Sequence, residues 1–185
     1  MGLGGERNPI TYSTNLNMNI DGKDIEVDFT CWYARKRIIG LGEEPSFVVG
    51  ETKSFADEAI QDADVSRLRL IGTKLPGTVL VIAVLKDQLS RAEKKRIGRL
   101  ALWGREPMAD GRWRAPLVVL TGTELFSSFW VEREWKECGG LRQELTKHAN
   151  IRMDNLVTLA DLTQQAYLDL PAYWAWLEKR REKLR

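Results

Sequence analysis

The sequence predicts an α/β fold: a mixed β-sheet flanked by helices, with a helical extension towards the C-terminus. Three observations predict it. Two alternating segments, 11–20 and 23–33, are joined by Asp21-Gly22, a strong two-residue hairpin signal. Apolar runs at 46–53 and 78–85 flank an amphipathic stretch that ends near Lys74, and a strand, a helix and a strand in that order imply a right-handed crossover between parallel strands. Beyond Glu124 the pattern is helical to the end.

Each element has its own signature. Residues 1–9 are glycine-rich and expected to be poorly ordered. In the first strand Tyr12, Leu16, Met18 and Ile20 fall on one parity, with Ser13, Asn15, Asn17 and Asn19 on the other. In the second, Ile25, Val27, Phe29 and Cys31 share one face, and Glu26, Asp28, Thr30 and Trp32 share the other. A basic loop from Arg35 to Glu44 leads to a third strand built on Phe47-Val48-Val49. Either Asp62 or Asp64 can cap the next helix, whose apolar stripe is Val65, Leu68 and Ile71 and whose end is Pro76-Gly77. The Val-rich run 78–85 reads as a strand buried on both faces. Ser90-Arg91-Ala92-Glu93 is a capping box that opens a helix to about Trp103, with Gly104 as its stop. Leu117–Leu120 is a fifth strand. Gly139-Gly140 and the stretch 150–155 interrupt the C-terminal helices, and Pro171 suits the start of the last one. The expected organisation is a core domain over 10–126 with a helical extension over 127–185 packed on it.

Composition bounds the function. The chain of 185 residues is 43% hydrophobic and 29% charged, as expected of a soluble globular protein. No apolar run approaches the roughly 20 residues that span a membrane, and the N-terminus lacks the basic and apolar regions of a secretory signal. A cytoplasmic location is therefore expected. One histidine, His148, and two distant cysteines, Cys31 and Cys138, exclude a His/Cys metal site. Any metal must be held by carboxylates, which favours Mg²⁺ or Mn²⁺. The net charge is only +2, but Arg35-Lys36-Arg37, Lys94-Lys95-Arg96 and Lys179-Arg180-Arg181 are basic clusters. Each reads plainly as a solvated face, and together with an acidic site they read as a phosphate-binding rim.

The stretch Glu51-Thr52-Lys53 carries the chemistry. Glu51 and Lys53 close an apolar strand and, two residues apart, point to one face. Charges at the end of a buried strand are costly unless something uses them. The preceding strand bears Asp28 within Glu26-Val27-Asp28-Phe29. An acid-x-Lys triplet alone is uninformative, since Asp21-Gly22-Lys23, Glu93-Lys94-Lys95 and Glu134-Trp135-Lys136 also occur; the first is a turn and the others read as helix surface.

With its hairpin, third strand, helix and fourth strand, and with acids on strands two and three, the segment 10–126 resembles the PD-(D/E)xK nuclease superfamily, the restriction endonuclease-like fold. Two departures are visible: Val27 stands where the family's name has proline, and Glu6 is the sole candidate for a glutamate ahead of the hairpin. The resemblance implies a metal-dependent endonuclease that hydrolyses phosphodiester bonds, with DNA as the expected substrate and Mg²⁺ (or Mn²⁺) as cofactor. Asp28, Glu51 and Lys53 become the catalytic residues, and Asp28, Glu51 and the Thr52 carbonyl the metal ligands. Glu26 is either a further ligand or an outer strand carboxylate. Gln61 and Lys74 line the approach or sit on the helix surface. Arg35, Lys36 and Arg37 follow the Asp28 strand and are placed to reach phosphate. Of seven tryptophans, Trp113, between Arg112 and Arg114, is the candidate for base stacking. Two-strand cleavage calls for a homodimer. The alternatives are a catalytically inactive nuclease-fold module that binds DNA or protein, and an interaction module of a larger defence or repair assembly. In the second case Leu156, Leu159, Leu162, Tyr173, Trp174 and Leu177 face a partner; the plain alternative is that they cover the sheet.

Overall fold

The computed structural model describes residues 10–35, 44–54, 58–126, 131–147 and 155–183. Its centre is a five-stranded mixed sheet in the order β1 (Ile10–Ile20), β2 (Lys23–Arg35), β3 (Glu44–Lys53), β4 (Val79–Val84) and β5 (Leu117–Leu120). The first three strands are antiparallel, while β3–β4 and β4–β5 are parallel. This is the α/β mixed sheet flanked by helices that the sequence predicts. Strands β2 and β3 extend further than expected, to Arg35 and from Glu44, into the stretch read as loop.

Helix α1 (Asp62–Lys74) connects β3 to β4, and α2 (Arg91–Gly104) connects β4 to β5. Leu68 and Ile71 of α1 and Ile97, Leu100 and Ala101 of α2 share one apolar cluster with Val49, Leu80, Ile82, Val84, Leu117 and Val119. The alternate residues Val48, Val79, Val81 and Val118 form a second cluster with Trp113 and Ala160 on the opposite face. All six residues of β4 are buried, as expected of a central strand covered on both sides.

Strand β2 divides between these two cores. Ile25 and Val27 join the α1/α2 cluster, whereas Phe29 and Cys31, of the same parity, pack against the other. The single shared face expected for these four is thus corrected: strong twist carries the hairpin's outer half off the sheet and over α1. There Lys74 pairs with Asp21 at the hairpin turn, so it does not line the site approach. The change of side falls at Asp28. The β2–β3 ladder ends at Phe29↔Gly50, and the β1–β2 ladder skips Asn15, opposite Asp28, which has a left-handed φ of 52°. Gly50 is required at this crossing, because a Cβ there would lie 2.0 Å from Phe29 Cε1.

The start of α1 differs from expectation. Gln61, rather than an aspartate, is the N-cap of α1; Asp64, at the third helical position, accepts the Gln61 N–H at 2.7 Å. The Ser90 capping box is present as expected, but its Glu93 is buried rather than a surface residue. Burial alone would raise the Glu93 carboxyl. Hydrogen bonds from Lys86 Nζ (2.7 Å), Ser90 and the Ile60 N–H outweigh it and hold it at about 2. Gly104 ends α2 by close approach to the Ala115 carbonyl, 2.1 Å from where a Cβ would stand.

The C-terminal helices cover the sheet's free edge. These are α3 (Gly122–Leu125), α4 (Val131–Cys138), α5 (Gly140–Lys147), α6 (Leu156–Leu168) and α7 (Tyr173–Lys183). The edge strand β5 leaves Leu117 C=O and Val119 N–H without strand partners. Gln164 Nε2 of α6 donates to the first at 2.7 Å, and Thr163 Oγ1 accepts from the second at 3.1 Å. Leu156 and Leu159 pack on the second cluster and Leu162 enters the first, which supports the covering role rather than a partner-facing one. Trp174, 71% exposed, stays outside. Fully buried Arg105 locks α2 to this layer, bonding Gln164, Asp161 and the Pro171 carbonyl. Among the described residues no helix is long and apolar enough to cross a membrane.

Glu93 makes the fold acid-sensitive. Its folded pKa lies below the ordinary glutamate value, so its stabilisation is fully present above about pH 4.3 and is lost as pH falls towards 2. Urea unfolding across that range should show the wild type losing stability more steeply than Glu93→Gln, whose curve should be flatter and lower at neutral pH.

Candidate active site

The site forms where β2 leaves β3. Continued one step past Phe29↔Gly50, the antiparallel register sets Asp28 opposite Glu51, on one face of the sheet. In place of a ladder bond, the Asp28 carboxylate closes the gap. Its Oδ2 accepts from the Thr52 N–H at 2.5 Å and from Thr52 Oγ1 at 2.8 Å. Glu51, only 3% exposed, meets two cations through Oε1: Lys53 Nζ at 2.8 Å and Arg67 Nη2 at 2.8 Å. Both cations also reach Asp64, buried on the first turn of α1, at 3.5 Å from Lys53 and 2.7 Å from Arg67. Three acids and two bases are therefore gathered between β2, β3 and α1.

Their titration follows from this packing. Burial raises the Glu51 carboxyl above the ordinary range; the Lys53 hydrogen bond opposes this, and the Asp28 and Asp64 charges reinforce it. Burial works against the Lys53 ammonium, but the bond to Glu51 and the charges of Glu51 and Asp64 outweigh it and place its pKa above that of an ordinary lysine. Lys53 is an ammonium at neutral pH.

A pocket of about 490 Å³ opens on this cluster, lined by Thr14 and Asn15 of β1, Asp28 and Phe29 of β2, and Thr52, Lys53, Ser54 and Glu58. The donor set suits a hard cation. Among the described residues Asp28 and Glu51 each bind the protein through one oxygen, and nothing donates to Asp28 Oδ1 or Glu51 Oε2. No group of three or more acid, His or Cys side chains gathers as a metal cage among the described residues. Two carboxylates, with the remaining positions left for water and a phosphate, match the way Mg²⁺ is bound at phosphoryl sites.

Of the residues named from sequence, the structure brings Asp28, Glu51, Thr52 and Lys53 together. Glu26 is exposed on the hairpin opposite Asn17. Gln61 caps α1. Arg35 is the last residue of β2, and Lys36 and Arg37 lie outside the described residues. Trp113 is a correction. It is 6% exposed, with the Tyr173 ring at 4.6 Å on one contact and the Arg105 guanidinium at 5.6 Å on another, so no base can stack on it. Its flanking arginines suggested an open loop, but an indole between a core tyrosine and a buried arginine is a packing element. Sequence reasoning missed Asp64 as a site residue and missed Arg67, which it left on the helix surface. The available signal was their i, i+3 spacing on the helix that follows Glu51.

No family model and no curated protein sequence matches this chain. Among solved structures it is similar to "MspJI Restriction Endonuclease in Complex with 27-mer Oligonucleotide", at 15% identity and a TM-score of 0.35. The similarity covers 85% of this chain but 28% of that one.

Arg67 is the cation whose loss tests the network. Replacing it with Met leaves Glu51 and Asp64 with less positive charge, so the Glu51 carboxyl should rise further. Carbon-detected NMR titration of the Glu51 side chain reads this directly, and an unmoved or lowered value contradicts the bridging geometry.

Proposed function

We propose that this protein is a metal-dependent endonuclease that hydrolyses phosphodiester bonds in DNA, with Asp28, Glu51 and Lys53 as its catalytic residues. The observation that carries the reading is the convergence of Asp28 and Glu51-Thr52-Lys53 at the splitting point of β2 and β3, beside an open pocket. The arrangement of the strands and the acid-x-Lys triplet is the one the PD-(D/E)xK resemblance implies.

Asp28 Oδ1 and Glu51 Oε2 are the oxygens that would hold Mg²⁺, with the Thr52 carbonyl as a third ligand. When bound, the ion acts as a Lewis acid on the phosphate and lowers the pKa of a coordinated water. The protein's own groups do the rest. Thr52 fixes the Asp28 carboxylate by two bonds to one oxygen, so the other keeps a defined direction. Lys53, protonated at neutral pH, orients the attacking water and offsets the negative charge that builds on the phosphorane. Arg67 and Asp64 hold Glu51 and Lys53 at fixed separation, so the site needs little rearrangement as charge develops.

The second reading is a nuclease-fold module that binds DNA or protein without cutting, within a larger assembly. The specific observation in its favour is that Lys53 and Arg67 both occupy Glu51, which also balances charge in a site that never holds a metal.

Nicking of supercoiled plasmid separates the two. With Mg²⁺ or Mn²⁺ the wild type should nick, and EDTA should abolish it. Asp28→Ala, Glu51→Ala and Lys53→Ala should each lose about 10²–10⁴-fold in rate. Cleavage that survives all three changes sinks the site assignment. No cleavage, with no Mg²⁺ binding by calorimetry, favours the non-cutting module.

A further inference from the structure

We infer that the site takes an unpaired nucleotide of single-stranded DNA, with its base against Phe126. This deepens the nuclease reading and rests on it for the position of the phosphate.

A second pocket, about 340 Å³, lies beside the first. Its lining is Thr52, Lys53, Ser54, Ala83, Leu85, Leu125 and Phe126. Thr52, Lys53 and Ser54 belong to both pockets, so the two adjoin at the end of β3. Their chemistry differs. The first holds the Asp28 carboxylate and Lys53; the second adds only Ala83, Leu85, Leu125 and Phe126, all apolar. Phe126 is 75% exposed, and Leu85 and Leu125 beside it are also exposed. Together the three give the second pocket an apolar wall.

The pair of pockets matches one ligand shape: an anionic group at Lys53 and at the cation that Asp28 and Glu51 would hold, joined by a short spacer to a flat apolar body. A nucleotide has that shape, with its phosphate at the cation site and its base on the ring. The base must be free of its partner and its stack to reach Phe126, which selects single-stranded over continuous duplex DNA. Aromatic stacking of this kind is tolerant of base identity, since every base presents a π-face.

Fluorescence of a short single-stranded DNA oligonucleotide carrying 2-aminopurine tests the assignment on the full chain, with Ca²⁺ replacing Mg²⁺ so that binding is read without cleavage. The wild type should quench the probe and bind it more tightly than the same sequence as duplex. Phe126→Ala should weaken single-strand binding by about 5- to 100-fold and relieve the quench. Phe126→Trp should retain both, and Phe126→Leu, apolar but without a π-face, should not. Thermal unfolding of the variants should match the wild type, because the side chain is mostly exposed. The inference is overturned if the wild type does not quench the probe, if Phe126→Ala binds like the wild type, if duplex binding falls equally, or if RNA of the same sequence binds more tightly. Cleavage is judged separately, with Mg²⁺ in place of Ca²⁺, on the single-stranded oligonucleotide and on the plasmid: quenching with neither cut leaves this inference standing and removes the nuclease reading, while cleavage without quenching does the reverse.

Discussion

The bond pair from Thr52 to Asp28 Oδ2 is the contact on which the site depends. Strands β2 and β3 stop pairing at Phe29 and Gly50, and two diverging strands would leave backbone groups of β3 without partners. Asp28 supplies the missing acceptor from its side chain. The same act anchors a carboxylate beside Glu51 at the mouth of a pocket. Gly50 permits it, because only a residue without a side chain lets the Phe29 ring lie across β3 at that step.

Around this point charges of opposite sign interlock. Asp28 and Lys53 line the pocket, Glu51 lies behind them bound by Lys53 and Arg67, and Asp64 binds both cations from the helix side. Buried charges are costly singly, and here Glu51 and Asp64 are both set against Lys53 and Arg67. Helix α1 thereby has two tasks: its apolar face fills the core through Leu68 and Ile71, and its first two turns supply Asp64 and Arg67 to the site.

The opposite edge of the sheet is protected by different means. Gln164 and Thr163 replace the strand that β5 lacks, and buried Arg105 ties their helix to α2. A further buried acid, Glu124, accepts from Trp135 Nε1 at 2.7 Å and from the Tyr167 hydroxyl, joining α3, α4 and α6. The helices beyond residue 126 thus complete the core that the sheet begins.

The sequence by itself determined the strands, the hairpin at Asp21-Gly22 and the crossover through α1. These rest on local periodicity and turn chemistry, which act over a few neighbours and are legible in a linear string. The gathering of Asp28 with Glu51 and Lys53 was implied by the family resemblance, and the β2–β3 register realises it. The C-terminal helices were legible as helices for the same reason. Only the tertiary structure decided that β2 changes cores at Asp28, since strand twist is a property of the whole sheet. Only it placed Trp113 inside, Glu93 beneath Lys86, and Arg67 on Glu51. A tryptophan between arginines, or a glutamate on a helix, has the same local signal whether its neighbours are solvent or a packed layer. What settles the matter is contact between residues far apart in the chain, such as Trp113 with Tyr173 or Glu93 with Ile60, and no local pattern encodes those pairs.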